Sequence, residues 1–263
     1  MRAQTYGRIE HVVVDGGSRD ETLAIVADFP AVRAIRAPGL GQSASVNRGV
    51  ADAHGEIVVV LNADDTLRPN AVATLVEALR EAPDAVAAYG DAIHIDERGA
   101  QIGLYPTLPF DRAALLEGCY ICQPASAVRR SAFLAAGGLD VKLDVALDYD
   151  FWIRLARSGD FVRVDGVLAA SRMHLSNKTL ARRGDLYREV VRILRAQFGY
   201  VPYSWCYGYA NWLLDHGDQF FTPPRRPKTS VALTLLLGLR LNARQPLRFL
   251  RDWYGHRGLH ARR

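Results

Sequence analysis

Three acidic clusters in this chain have the residue types and settings to do chemistry. The first is Asp15, which ends the run Val12-Val13-Val14-Asp15-Gly16-Gly17-Ser18. A carboxylate at the carboxyl end of a buried strand points into the crevice where α/β folds bind ligands, and glycines behind it let backbone approach closely. The alternative is an Asp that caps the following helix. The second cluster is Asn62-Ala63-Asp64-Asp65, directly after Ile57-Val58-Val59-Val60-Leu61. Two adjacent acids at the end of a buried strand are costly unless solvated or countered by a cation. Hard divalent ions such as Mg²⁺ or Mn²⁺ take oxygen ligands and share them with substrate phosphates. Asp64 is the metal candidate. Asp65 is either a second ligand or an N-cap for the helix opened by Pro69. The third cluster is Asp148-Tyr149-Asp150-Phe151-Trp152-Ile153-Arg154. Asp150 and Arg154 have the i, i+4 spacing of a simple ion pair. Asp148 falls at the helix start, where a carboxylate beside a pocket can act as a general base.

Cys119-Tyr120-Ile121-Cys122 is a lone CxxC without a second pair, too little for a zinc or redox site. His174, followed by Asn177-Lys178-Thr179, lies in a polar stretch that could meet phosphate or be solvated.

The elements that must position these residues alternate. Strands are expected over 11–14, 32–35, 56–61 and 86–95, and helices after Ser18 or Asp20, over 41–53 and over 69–81. Asp96-Glu97-Arg98-Gly99 reads as a hairpin turn. This alternation predicts a largely parallel sheet with helices on its faces. Further on, 111–117, 130–136 and 147–157 read as helices, 123–128 as a strand, and 161–173 as strands around Asp165-Gly166. Beyond Leu180 the chain is helical and Arg-rich, with a Pro-rich linker over 218–229.

The 263 residues carry a formal charge of +5, which hides an asymmetry. Residues 1–180 hold 18 basic and 23 acidic side chains, and residues 181–263 hold 15 and 5. The first part is suited to a metal, the second to an anionic membrane, polyanion or phosphate. The longest uncharged apolar run, Ser230 to Leu239, is too short for a bilayer, which needs ~20 residues. Met1 to Glu10 has no apolar core, so no signal peptide is expected there. Three cysteines are too few for a disulfide scaffold. Together these predict a cytoplasmic protein, peripheral at most at the inner face of the membrane. Within 231–254, Arg240, Arg244, Arg248 and Arg251 recur at helical spacing opposite Leu and Trp. This predicts one basic amphipathic helix that either lies in a membrane interface or packs its leucines on the rest of the protein.

Taken in order, the segments 12–22, 39–65, 89–99, 121–140 and 147–162 resemble family 2 inverting glycosyltransferases of the GT-A fold. The resemblance implies an α/β, GT-A-like (Rossmann-like) mixed sheet flanked by helices over 1–180, followed by a basic helical extension over 181–263. It implies transfer of a sugar from a nucleotide-sugar donor to a hydroxyl on a saccharide or lipid-linked acceptor, in polysaccharide biosynthesis of the cell envelope, with Mg²⁺ or Mn²⁺ as cofactor. By resemblance, Asp15 contacts the nucleotide base, and Gln42, Ser43 and Asn47 flank the nucleotide. Asn62-Ala63-Asp64 matches the DxD metal motif with Asn in first place, so Asp64 meets both metal and nucleotide. Asp148 matches the catalytic base, with Leu147 where the family carries Glu. Gln123 and Pro124 match the acceptor-side loop. The family also carries a strand and helix ahead of the segment matching His11–Val14, and none is evident in Met1–Glu10, so the domain is expected to lack its first strand and helix. That leaves a nucleotide-sugar-binding pseudoenzyme as an alternative reading. A nucleotidyltransferase is a second alternative, but no Gly-rich basic loop follows the first strand. The basic residues lack the aromatic interleaving of a nucleic-acid binder, so no nucleic-acid partner is expected.

Overall fold

The computed structural model describes residues 1–222 and 227–260. The chain forms two compact units, Met1–Arg112 with Tyr120–Met173, and Ala113–Cys119 with His174–Arg263.

The first unit holds β1 (His11–Asp15), α1 (Thr22–Ala27), β2 (Val32–Arg36), α2 (Gln42–Asp52), β3 (Ile57–Val58), β4 (Thr66–Leu67), α3 (Ala71–Glu81), β5 (Ala87–Ile95) and β6 (Gln101–Leu104). It continues through a 3₁₀ turn (Gln123–Ala125), β7 (Ser126–Arg129), α5 (Arg130–Ala135), α6 (Leu147–Leu155) and β8 (Phe161–Arg172), while α4 (Arg112–Glu117), which precedes the 3₁₀ turn in sequence, belongs from Ala113 on to the second unit.

The fold is α/β, but the sheet is mixed and not largely parallel. Six strands run in the order β3-β7-β5-β8-β4, with β6 paired to β5. Only β5 and β8 are parallel neighbours in it, while β3–β7, β5–β7, β4–β8 and β5–β6 are antiparallel. The expected hairpin turn is present, with the Asp96 carboxylate accepting from Arg98 and Ala100 N–H. The core lies where α3 meets the sheet. Its apolar stripe lays Ala71, Leu75, Ala78 and Leu79 against Ala88 and Ala92 of β5, Ala127 of β7 and Leu168 and Ala169 of β8. The alanines on the strands let the helix approach closely, and the leucines fill the remaining space.

Three sequence expectations are corrected here. The run 56–61 is not a fully buried strand. Only Ile57–Val58 pairs, with Arg129 and Val128, and Val59 and Val60 stay half-buried because β3 has a neighbour on one side alone. Residues 161–172 form one long strand and not a hairpin, because the chain at Gly166 (φ +109°) bulges and then resumes its pairing with β5. The separate parallel pair β1–β2 is not joined to the larger sheet. No strand occurs in Met1–Glu10, and β1 is paired only on its β2 side.

The second unit is helical, with α7 (Lys178–Ala181), α8 (Arg183–Phe198), α9 (Tyr203–Asp215), α10 (Pro227–Leu241) and α11 (Pro246–His260). The segment 113–119 is tied to α9, since Ser204 Oγ donates to the Glu117 carbonyl at 2.7 Å and Trp205 Nε1 to the Leu116 carbonyl at 2.9 Å. The basic stretch 231–254 is not one helix. It breaks between Leu241 and Pro246, which places Arg240 on α10, Arg244 in the turn, and Arg248 and Arg251 on α11. The linker expected over 218–229 lies partly outside the described residues. Among the described residues no helix is long and apolar enough to cross a membrane.

Candidate active site

A cleft in the first unit is lined by Gln42 and Val46 of α2, Val58, Val60 and Asn62 at and after β3, and Gln123, Ser126 and Val128 around β7. Phe133, Leu139, Leu147, Asp148, Phe151 and Trp152 complete it. Four of the residues singled out in the sequence thus converge from separate segments: Gln42, Asn62, Gln123 and Asp148. The apolar wall is set by aromatic packing, with Phe133 against Phe151 at 4.8 Å and Phe151 against Trp152 at 5.3 Å between ring centroids.

One side of the cleft is a polar network. Gln42 Nε2 donates to Asn62 Oδ1 at 3.1 Å. The Asn62 amide donates to Asp65 Oδ2 at 3.1 Å and to Gln123 Oε1 at 3.0 Å. Gln123 Nε2 in turn donates to the Val60 carbonyl. Both N–H groups of the Asn62 amide and one acceptor position on its oxygen are therefore spent on holding the loop. Pro124 is buried in the 3₁₀ turn beside Gln123. The Ser126 hydroxyl closes that turn on the Gln123 carbonyl at 2.7 Å.

The two acids after β3 separate in role. Asp65 is buried, and its Oδ1 accepts the Arg172 backbone N–H at 3.0 Å while Oδ2 takes Asn62. Burial pushes its carboxyl above the usual carboxylate range, against the pull of Arg172 and Asn62. Asp65 thus fastens the loop to β8, and both its oxygens are engaged. Asp64 is half-buried, and its backbone carbonyl accepts from Arg172 Nε at 3.0 Å. Arg172 also donates to the carbonyls of Asp96 and Glu97, at 2.7 and 3.0 Å, so one side chain pins the acidic loop to the next hairpin. The sequence reading missed Arg172. Its signal was a lone long cation among the small residues that end β8.

Among the described residues no group of three His, Cys, Asp or Glu is arranged to hold a metal. A divalent ion there would have Asp64 as its single protein carboxylate and would need phosphate and water to complete its shell.

Asp148 opens α6 with its carboxyl on the cleft. Burial pushes its pKa above the usual carboxylate value, offset in part by the Tyr149 N–H, which donates to Oδ1 at 2.8 Å. Asp150 does what its spacing suggests. It is buried and pairs with Arg154 Nε at 2.7 Å, and Arg154 reaches on to the carbonyls of Ala136 and Gly138.

Asp15, Ser43, Asn47, Asp64, Asp65 and Pro124 are not among the residues lining the cleft. Asp15 is buried at the end of β1, where its oxygens accept the N–H groups of Gly17 at 3.2 Å and Ser18 at 3.1 Å. The Ser18 hydroxyl and N–H, then the Gly17 N–H and the Arg36 charge, hold its carboxyl below the usual range. Asn47 spends its amide on the loop after α5, accepting from Leu139 N–H and donating to the Leu139 carbonyl, both at 2.8 Å. Gly138 (φ +68°) presses against this amide, where a Cβ would come within 2.5 Å of Asn47 Oδ1. Asn47→Ala strands two half-buried backbone groups, so it is expected to destabilise the protein by about 1–3 kcal/mol in a urea melt. Ser43 makes a similar, longer bond to the Leu143 carbonyl at 3.4 Å. Cys119, Cys122 and Cys206 are free thiols. In the second unit, His174 Nδ1 pairs with Ser176 Oγ at 2.7 Å, and Asn177 caps α7 through Thr179 N–H.

The family profile described as Glycosyl transferase family 2 matches residues 1–134 of the 263. The chain belongs to glycosyl transferase family 2. This family 2 chain is 26% identical to an Escherichia coli chondroitin synthase over 190 residues, covering 71% of this chain and 28% of the synthase. It is 34% identical over 164 residues to a PGL/p-HBAD biosynthesis glycosyltransferase of Mycobacterium bovis, covering 57% of this chain and 59% of that protein. The chain thus spans between about a quarter and three fifths of these relatives. Two solved structures share the fold. S. aureus TarS 1-349 in complex with UDP-GlcNAc aligns with TM-score 0.61 and 14% identity over 92% of this chain and 76% of that one. The mannosyltransferase PcManGT from Pyrobaculum calidifontis, in complex with GDP-Man and Mn2+, aligns with TM-score 0.58 and 17% identity over 92% and 80%. The GT-A-like expectation for the fold is borne out by these neighbours.

Proposed function

We propose that this family 2 chain transfers a sugar from a nucleotide-sugar donor to a hydroxyl of a saccharide or lipid-linked acceptor, with inversion at the anomeric carbon. The observation that carries the reading is the desolvated carboxyl of Asp148 on a cleft shared with Gln42, Asn62 and Gln123. A carboxylate whose pKa is raised by burial is a stronger proton acceptor than an exposed one. In this reading Asp148 takes the proton of the acceptor hydroxyl as the oxygen attacks the anomeric carbon from the face opposite the nucleotide. The C–O bond to the diphosphate breaks as the new one forms, through an oxocarbenium-like transition state. Gln123 and Pro124 shape the acceptor side. Gln42 and the Asn62 loop flank the donor, and Asp15 is assigned to the nucleotide base. A divalent ion on Asp64 would neutralise charge on the departing diphosphate.

The test is a screen of UDP- and GDP-sugars with mixed saccharide and lipid-linked acceptors, read by nucleoside diphosphate release and by NMR of the product anomer. Acceptor-dependent release with the anomeric configuration opposite to the donor supports the reading. A retained configuration overturns inversion. Tight nucleotide-sugar binding without transfer to any acceptor supports the pseudoenzyme instead.

A further inference from the structure

Helix α10 is packed inside out. The residues it buries recur every fourth position and are small or polar: Ser230, Thr234 and Gly238, followed by Asn242 just past its end. Each has a specific partner within the second unit. Ser230 Oγ donates to Asn211 Oδ1, and Thr234 Oγ1 to the Ser230 carbonyl at 2.6 Å. At Gly238 an added Cβ would fall within 1.8 Å of the Phe249 ring, so α11 crosses α10 at a site only glycine permits. Asn242 accepts from Val201 N–H at 2.7 Å and donates to the Val201 carbonyl at 3.0 Å.

The opposite side of α10 carries Ala232, Leu236 and Arg240, all exposed, with Leu233, Leu235, Leu237 and Leu239 partly covered on its shoulders. Leu236 is 67% exposed. On α11, Phe249 and Trp253 are buried, and the far side shows Leu247 at 71%, Arg251, and Tyr254 at 67%. A helix in water buries its apolar stripe and shows its polar one. Here Leu236 and Leu247 stand out in solvent, while the innermost positions of α10 are held by Ser230, Thr234 and Gly238.

We propose that the outward faces of α10 and α11 form a docking surface for an anionic lipid bilayer. Charge complementarity selects this occupant. Residues 222–263 carry ten basic side chains and one acidic, Asp252, which is tied to the Tyr200 hydroxyl. Arg240, Arg244, Arg248 and Arg251 are all exposed beside the leucines. Apolar residues flanked by arginines match the boundary between acyl chains and anionic headgroups. A second copy of the chain fits less well, because a two-fold contact through this face would set these arginines against their own copies. Among the described residues no helix is long enough to span, so the helices would lie in the interface. The surface does not depend on the transfer reaction, and its test needs no activity.

The experiment is flotation of the full chain with vesicles of phosphatidylcholine alone or mixed with phosphatidylglycerol. Binding to the mixed vesicles at low salt, weakening as salt rises, is the expected result. Leu236→Glu combined with Leu247→Glu should lower the partition coefficient by more than about tenfold, and Arg240→Glu with Arg244→Glu should do the same. Circular dichroism melts should leave both variants as stable as the parent, since these side chains are exposed. The proposal is overturned if nothing floats at low salt, or if the folded leucine variant floats equally well. It is also overturned if sedimentation shows a dimer that the leucine variant dissolves while vesicles bind neither.

Discussion

Asp148→Asn is expected to slow sugar transfer by about 10²–10⁴ and, at neutral pH, to raise the melting temperature. The two effects have one cause. The wild-type carboxylate is held in a desolvated place and balanced mainly by the Tyr149 N–H, which raises its pKa. Asn keeps the shape and that hydrogen bond but carries no charge to desolvate, so folding costs less and proton acceptance is lost. The sign with pH follows from linkage. A carboxyl whose folded pKa is raised contributes its stability below the unfolded value and loses it as pH rises through the folded one. Parent and variant should therefore melt alike below the unfolded value, diverge as pH rises from there through the folded pKa, and differ by a constant amount above it. The parent's kcat/KM should fall on an acid limb above the ordinary carboxylate range, and the variant should lack that limb. Near wild-type turnover in the variant would remove Asp148 as the base. Asp150 is a poor substitute, because Arg154 already holds it.

Asp64→Ala is expected to abolish turnover in Mg²⁺ or Mn²⁺ without disturbing the fold. The loop that carries Asp64 is pinned through its backbone by Arg172 and through Asp65, so the side chain can be removed without releasing the loop. Asp65→Ala should behave differently, lowering stability because a buried acceptor of two hydrogen bonds is lost. Turnover in the parent that survives chelation would show that Asp64 serves no metal.

The local pattern of the chain was a sound guide to elements and a poorer one to their neighbours. The stripe Val72, Leu75, Val76 and Leu79 foretold α3, and the run ending in Asp15 foretold β1. Strand pairing is non-local, so the alternation of strand and helix could not reveal that β7 enters antiparallel between β3 and β5. At 231–254 the three- and four-residue spacing of the arginines outweighed two readable breakers. Asn242 lies just past the end of α10, and Pro246 starts α11, where its missing N–H costs nothing. Within the candidate site, Asp148 was legible as a carboxylate at a helix start, and Gln42 and Gln123 were marked by the family resemblance. Asn47 was legible as polar too, but its partner is 92 residues away, and no local signal distinguishes an amide that clamps a glycine turn from one that faces a ligand.

The separate β1–β2 pair bears on affinity. Between His11 and Arg36 only Asp15 is buried, and α1 buries no residue at all, so this layer rests on little apolar area and opens at low cost. One tie to the chain ahead of β3 is Glu10, which accepts the N–H of His54 at 2.7 Å and of Gly55 at 3.3 Å and pairs with Arg33 at 2.8 Å. The His54 N–H and the Arg33 charge hold the Glu10 carboxyl down to about 2, so the tie persists at any pH above that and loosens only in strong acid. Asp15 rides on this layer. Any ligand that uses Asp15 binds only while the layer is closed, so its apparent dissociation constant is the intrinsic one divided by the closed fraction. Glu10, five residues upstream and touching no ligand, would then tune affinity by setting that fraction.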